Sequence, residues 1–388
     1  MSEVAQAPHS SPDGRIPQLR FPEFDGVWES RLLKDAVKIN PRSGELPDEF
    51  IYIDLESVKK GYLIKETQIN KIGAPSRAQR LLNKNDVIFQ TVRPYQKNNY
   101  FFNLDGDYVA STGYAQLRVL NSPEFLYQAL HTDRFVYDVM ARSTGTSYPA
   151  INSTDLSKIK LNLPTKPEQQ KIAAFLTAVD NKIEQLSTKQ VLLGEYKKGL
   201  MQQIFSQAIR FKADDGCDFP DWKEKKLGSL CEITTGKLDA NAMVKDGQYR
   251  FYTCAKEYYK IDDYAFDTDA LIVSGNGANV GYIHHYQGKF NAYQRTYVLD
   301  SFTDNIVFVK FVLDGYLHKR IMKEKNEGNT PYIVMGTLTD MKINLPSFSE
   351  QTKISNFLSS IDNKIEQVGK QLDESKQFKK ALLQQMFV

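Results

Sequence analysis

The residues able to do chemistry are few in this chain, and their spacing argues against a reaction centre. His284 and His285 are adjacent, so on a strand they point to opposite faces and cannot readily hold one metal. His9, His131 and His318 are scattered, and no cysteine has a histidine nearby to activate it. Cys217, Cys231 and Cys254 are odd in number and lack paired spacing, which encodes neither a disulfide framework nor a zinc site and reads as reduced structural thiols. Asp221, Glu224 and Lys226 after Pro220 superficially resemble a nuclease carboxylate-lysine set, but their crowding suits a surface turn. The glycine-rich run Val273 to Gly281 lacks the Gly-Lys-Ser/Thr ending of a phosphate loop, and Gly275, Gly277 and Gly281 miss the dinucleotide spacing. No catalytic or metal-binding residue is therefore expected, and the available chemistry is recognition through charge and hydrogen bonds.

Two segments are suited to that. Between Asn70 and Tyr100 stand Lys71, Arg77, Arg80, Lys84, Arg93 and Lys97 against Asp86 alone. GAPSRAQR (Gly73 to Arg80) reads as a flexible loop, and TVRPYQKNN (Thr91 to Asn99) leaves a strand and turns at Pro94. A guanidinium can hold guanine bidentately and an amide can hold adenine, so Arg77, Arg80, Arg93, Tyr95, Lys97 and Asn98 are candidates for phosphate and base-edge contacts. A solvated loop face is the competing reading. In the later segment, a turn at Val273 to Gly281 could bring Asn276 and Asn279 to a ligand or could be purely structural. Lys289, Tyr293 and Arg295 alternate, so one strand face could present them, although Arg295 could equally be a structural ion-pair partner.

What positions such groups is an internal repeat. KLNLPTKPEQQKIAAFLTAVDNKIEQ from Lys160 recurs as KINLPSFSEQTKISNFLSSIDNKIEQ from Lys342, shifted by 182 residues without a gap. From Ile159 to Phe205, about 22 of 47 positions match Met341 to Phe387, far above chance composition. Each copy passes from a strand through Asn-Leu-Pro into a helix starting near Pro167 or Ser349. The seam Ile172, Leu176, Val179, Ile183 and Leu186 is matched by Ile354, Leu358, Ile361, Ile365 and Val368 in the 4-3 spacing of a coiled coil. One amphipathic helix usually means ordinary core packing. Two matched helices of roughly 40 residues, near 60 Å at about 1.5 Å per residue, are too long for one small domain to cover and should pack on each other, antiparallel. Lys197 and Lys379 fall in the seam and are read as snorkelling to solvent more readily than as setting register.

The segments before each helix occupy equivalent places. Trp28 and Trp222 are each followed five residues later by a leucine, Leu33 and Leu227, but the interiors diverge. The fold class expected is mixed α/β: two globular domains joined by two long helices packed as an antiparallel coiled coil, with pseudo-twofold internal symmetry. The divisions are a flexible N-terminal segment at 1–20, a domain at 21–161, a helix at 162–210, a second domain at 211–345 and a second helix at 346–388. The proportions of 41% hydrophobic and 25% charged residues can build such cores. A net charge of +3 is too weak to establish nucleic-acid binding, so local clustering must carry it. No apolar run could cross a bilayer and no signal peptide is visible, so a cytoplasmic protein is expected.

The paired N-L-P…E-Q…K-I…F-L…D-N-K-I-E-Q segments, with TVRPY, SGNGANVG and AYQRTYVL before them, resemble the specificity subunit of type I restriction-modification systems over nearly the whole chain beyond Phe21. The resemblance implies two target recognition domains, each reading half of a split site in double-stranded DNA, separated by helices that set the spacing and dock methyltransferase subunits, two of them. It implies no catalysis by this chain, with S-adenosylmethionine, ATP and Mg on partner subunits and restriction subunits joining through the complex. The chain shows no Asn/Asp-Pro-Pro-aromatic methyltransferase motif and no helicase phosphate loop, in keeping with that division of labour. Recognition residues vary with the target in this family, so none is carried over by position. A non-catalytic scaffold binding proteins, or an orphan DNA methyltransferase, are the alternatives; DNA affinity separates the first, and binding of labelled cofactor by the isolated chain the second.

Overall fold

The computed structural model describes residues 15–324 and 331–388. Residues 1–14, which carry His9 and most of the expected N-terminal segment, lie outside the described residues. Two compact units form: one from Met1–Ser187 with Lys370–Val388, the other from Thr188–Gly369. Each holds one mixed α/β domain and one half of each long helix, and each is described by itself.

The helices run Lys166–Phe205 and Phe348–Met386. In the first unit the opening turns of the central helix, through Ile172 and Leu176, share a core with Leu382 and Met386 of the C-terminal helix, and Asp180 lies against Lys379. Residue numbers rise along one helix as they fall along the other, so the pair is antiparallel. The second unit repeats this in reverse: Met201, Ile204 and Phe205 pack with Ile354, Leu358 and Ile361, and Lys197 meets Asp362. Leu176 and Leu358, 182 residues apart, are both fully buried. Burying such a side chain contributes about 1.5–3 kcal/mol, which fixes the 4-3 seam.

Neither seam lysine snorkels. Lys379 Nζ lies 2.5 Å from Asp180 Oδ1 and Lys197 Nζ lies 2.6 Å from Asp362 Oδ1. Both lysines are mostly shielded, at 19% and 17% exposed. An ammonium so shielded needs a partner charge, and the aspartate of the repeated D-N-K-I-E-Q run supplies it. The pairing is reciprocal: aspartate of copy one with lysine of copy two, and aspartate of copy two with lysine of copy one.

Each domain is fixed to the start of its helix by the same device. Glu168, fully buried, accepts from Arg20 Nε and Nη2, both at 2.8 Å, and from Trp28 Nε1 at 3.3 Å. Glu350, also fully buried, accepts from Arg210 Nε at 3.3 Å, Arg210 Nη2 at 2.9 Å and Trp222 Nε1 at 3.1 Å. Each carboxylate leaves water only because a guanidinium and an indole replace its hydration. Phe21 meets Phe175 edge-on and Phe211 meets Phe357 likewise. The strand before each helix pairs antiparallel with the strand after each tryptophan, Lys160–Leu163 with Glu29–Leu32 and Lys342–Leu345 with Lys223–Lys226.

Above this frame the domains differ. The first has two four-stranded sheets, one ordered Thr67–Asn70, Glu49–Ile53, Tyr108–Ser111, Ala78–Leu81, the other Val37–Ile39, Tyr114–Val119, Asp86–Gln90, Tyr100–Phe101. The second has one six-stranded sheet ordered Glu232–Thr235, Thr296–Asp300, Phe266–Ser274, Ile283–Ala292, Tyr249–Tyr252, Tyr259–Ile261. Helices Pro123–Ala129 and Asp133–Arg142, capped by the Ser122 and Thr132 hydroxyls, cover the first domain; the longer helix Ile306–Glu324 covers the second.

Candidate nucleic-acid interface

In the first domain every residue of the strand Asp86–Gln90 is buried, and the chain emerges from it into the basic loop. Thr91 accepts from Ile151 N at 3.0 Å, and Arg93 N donates to the Pro149 carbonyl at 2.7 Å. Arg93 and Lys97, with φ of 53° and 54°, bracket the 3-10 turn Pro94–Gln96. Left-handed backbone costs a non-glycine residue about 1–2 kcal/mol, so the surroundings must hold it. They do so with buried amides: Gln90 Nε2 donates to the Val92 carbonyl at 2.7 Å and to Gln96 Oε1 at 2.9 Å, and Asn99 Oδ1 accepts from Gln90 N at 3.0 Å. The Arg93 guanidinium stacks 4.2 Å over the ring of Tyr148, which is 63% exposed, and Tyr95 is exposed beside it in sequence.

The other candidates of this domain divide. Arg77 is exposed in the turn before the strand Ala78–Leu81. Gly73 to Arg80 is thus only in part a loop, because its last residues pair with Tyr108–Ser111 and gain ladder hydrogen bonds. Arg80 is half-buried in that strand; its Nε is buried without a partner and burial pushes its pKa down. Lys97 is tied to Asp133 at 2.6 Å and to the His131 carbonyl at 2.9 Å, and Asn98 Oδ1 accepts from Lys60 N.

In the second domain the strand Phe266–Ser274 leads into the glycine turn. Gly275 accepts from Ile333 N at 2.8 Å and donates to the Arg295 carbonyl at 2.9 Å. A Cβ on Gly275 would lie 2.2 Å from that carbonyl, so only glycine permits this approach. Asn276 bridges to Tyr332, itself exposed, whereas Asn279 Nδ2 is committed to the Cys254 carbonyl at 3.1 Å. Lys289, Tyr293 and Arg295 do not share a strand face. Lys289 lies in Ile283–Ala292 over the Tyr264 ring, while Tyr293 to Arg295 form the tight turn before Thr296–Asp300, closed by Thr296 N on the Tyr293 carbonyl. Arg295 is exposed there. His284 and His285 indeed diverge, one to the Ala255 carbonyl and one to Asp269. Lys226 and Glu224 pair with Asp340 and Lys342, and among the described residues no group of three or more His, Cys, Asp or Glu could hold a metal.

The two loops occupy matched places. Ile151 and Ile333 are 182 residues apart, and each donates its backbone N–H to the first residue beyond a strand whose end is buried, Thr91 or Gly275. The shared Pro-x-Ile at 149–151 and 331–333 is the signal that could have revealed this. Gln90, Asn99 and Tyr148 were missed because a buried amide and a distant tyrosine carry no local pattern.

The model of the type I restriction modification DNA specificity domain matches this chain twice, over residues 26–193 and 220–375. The chain belongs to that family. It is 43% identical over 168 residues to the EcoDI specificity subunit of Escherichia coli, covering 42% of this chain and 37% of that one. It is 25% identical over 274 residues to the MjaVIII specificity subunit of Methanocaldococcus jannaschii, covering 63% and 64%. The chain thus spans less than two thirds of the length of these relatives. The S subunit of a type I restriction-modification system from M. genitalium shares its fold, with a TM-score of 0.65 at 18% identity over 96% of this chain and 99% of that one. No helix among the described residues is long and apolar enough to cross a membrane.

Proposed function

We propose that this chain is the non-catalytic, DNA-reading member of a cytoplasmic type I restriction-modification complex, each domain reading one half of an asymmetric, interrupted target in double-stranded DNA. The observation that carries the reading is the matched placement of two unlike loops, Thr91–Asn99 and Gly275–Gly281, on one repeated frame. Like frames present the loops alike, and unlike loops select different bases. Arg77, Arg93 and Tyr95 on one side, and Asn276, Lys289 and Arg295 on the other, supply the contacts. The helices set the unread spacing and dock two methyltransferase subunits, an arrangement supported by Tyr196 and Phe378, exposed aromatics at matched positions of the repeat, 57% and 53% exposed. S-adenosylmethionine, ATP and Mg act on the partner methyltransferase and restriction subunits.

The deciding experiment exchanges residues 21–161 for the equivalent domain of a relative and maps the methylated motif. One half-site should change and the other persist; change in both halves, or no DNA affinity in any assembly, would sink the reading. Arg93→Ala should cost about 1–3 kcal/mol and relax one half-site only. Whole heptads inserted at matched places in both helices should lengthen the gap alone.

A further inference from the structure

Lys97 is a basic member of the first reading loop whose charge is already paired. Its Nζ lies 2.6 Å from Asp133 Oδ1 and 2.9 Å from the His131 carbonyl, at the start of the helix Asp133–Arg142. The other oxygen of Asp133 accepts from Gln384 Nε2 of the C-terminal helix at 3.2 Å. Lys97 itself holds left-handed backbone at the end of the loop's 3-10 turn, so pulling its side chain constrains the turn that carries Arg93 and Tyr95. A lysine meant for phosphate should extend freely into solvent; this one is folded back onto a carboxylate and a carbonyl.

We infer that Lys97 and Asp133 are positioning residues that tie the first reading loop to Gln384, so that fidelity at the first half-site depends on a side chain from the second copy of the repeat. The inference rests on the DNA-reading role proposed above. It departs from simple modularity: the first domain then reads correctly only on a C-terminal helix that offers an amide at position 384. Gln202, the matched residue of the first copy, is exposed in the other unit and serves as the internal control.

The test uses the full chain assembled with its methyltransferase subunits, a duplex carrying the methylated motif, duplexes with single-base changes in each half, and a series of salt concentrations. Lys97→Met, Asp133→Asn and Gln384→Ala should each cut discrimination against wrong bases in the first half, which is on the order of tenfold or more per base pair, and leave the second half unchanged. The slope of log affinity against log salt should not move, Lys97→Arg should restore discrimination, and Gln202→Ala should be silent. A drop in slope of about 0.9 for Lys97→Met, with Asp133→Asn and Gln384→Ala unaltered, would make Lys97 a phosphate contact and overturn the inference. Normal discrimination in all three variants also overturns it. Failure of the unsubstituted complex to bind DNA overturns instead the function on which it rests.

Discussion

The frame of this chain and the two exposed loops proposed to read DNA follow opposite rules. The frame is duplicated down to individual contacts: Arg20, Trp28 and Glu168 do in one unit what Arg210, Trp222 and Glu350 do in the other, and Asp180 to Lys379 mirrors Asp362 to Lys197. The loops share only an anchoring hydrogen bond from Ile151 or Ile333. One is stiffened by buried amides and a stacked arginine, the other by Gly275, which lets two backbones touch. A frame that bears packing energy tolerates little change, whereas an exposed loop can alter its side chains at small cost to stability. The molecule thereby separates a duplicated packing frame from unlike exposed loops.

That contrast can be broken at matched positions. Glu168→Ala and Glu350→Ala should each destabilise their own unit by about 3 kcal/mol, because each removes the carboxylate that accepts from both a guanidinium and an indole, although Arg20 and Arg210 keep their bonds to backbone carbonyls. Chemical denaturation giving a large loss for one and none for the other would show that the frames are not equivalent. Leu176→Ala and Leu358→Ala, at fully buried seam positions, should cost about 2–5 kcal/mol apiece.

His131 sharpens the difference between domains. Burial pushes its imidazole down to about 4 from the usual 6.5, against the pull of its hydrogen bond to the Tyr127 carbonyl. The unfolded chain then takes up this proton before the folded one, so the stability of the first unit is undiminished above about pH 6.5 and declines as pH falls toward 4, by about 3 kcal/mol. Hydrogen exchange at pH 7 and pH 5 should show about 2 kcal/mol of that loss in the first unit, and His131→Asn should remove this contribution. The smallest effect belongs to the seam pairs. Lys197→Met or Lys379→Met should cost about 1 kcal/mol, and the swap Asp180→Lys with Lys379→Asp should recover most of the single-variant losses.

Much of the frame was legible in the sequence. The 182-residue offset and the 4-3 pattern located both helices to within a residue or two of Lys166 and Phe348 and paired them antiparallel. The two exposed loops were visible in composition, through Arg77, Arg93 and the glycine turn, but not in geometry. Lys97 looked like Arg93 until Asp133 appeared beside it, and Tyr293 to Arg295 looked like strand until the turn before Thr296 closed.

By itself the sequence determined the duplication, the helices and the mixed α/β domains, because periodicity and repetition are properties of neighbours along the chain. Tertiary structure alone decided that the seam lysines are paired, that Glu168 and Glu350 are buried beneath a guanidinium and an indole, and which basic residues remain free. Each of those depends on a partner between 21 and 199 residues away, and neither hydropathy nor charge along the chain records which distant group will arrive to replace water.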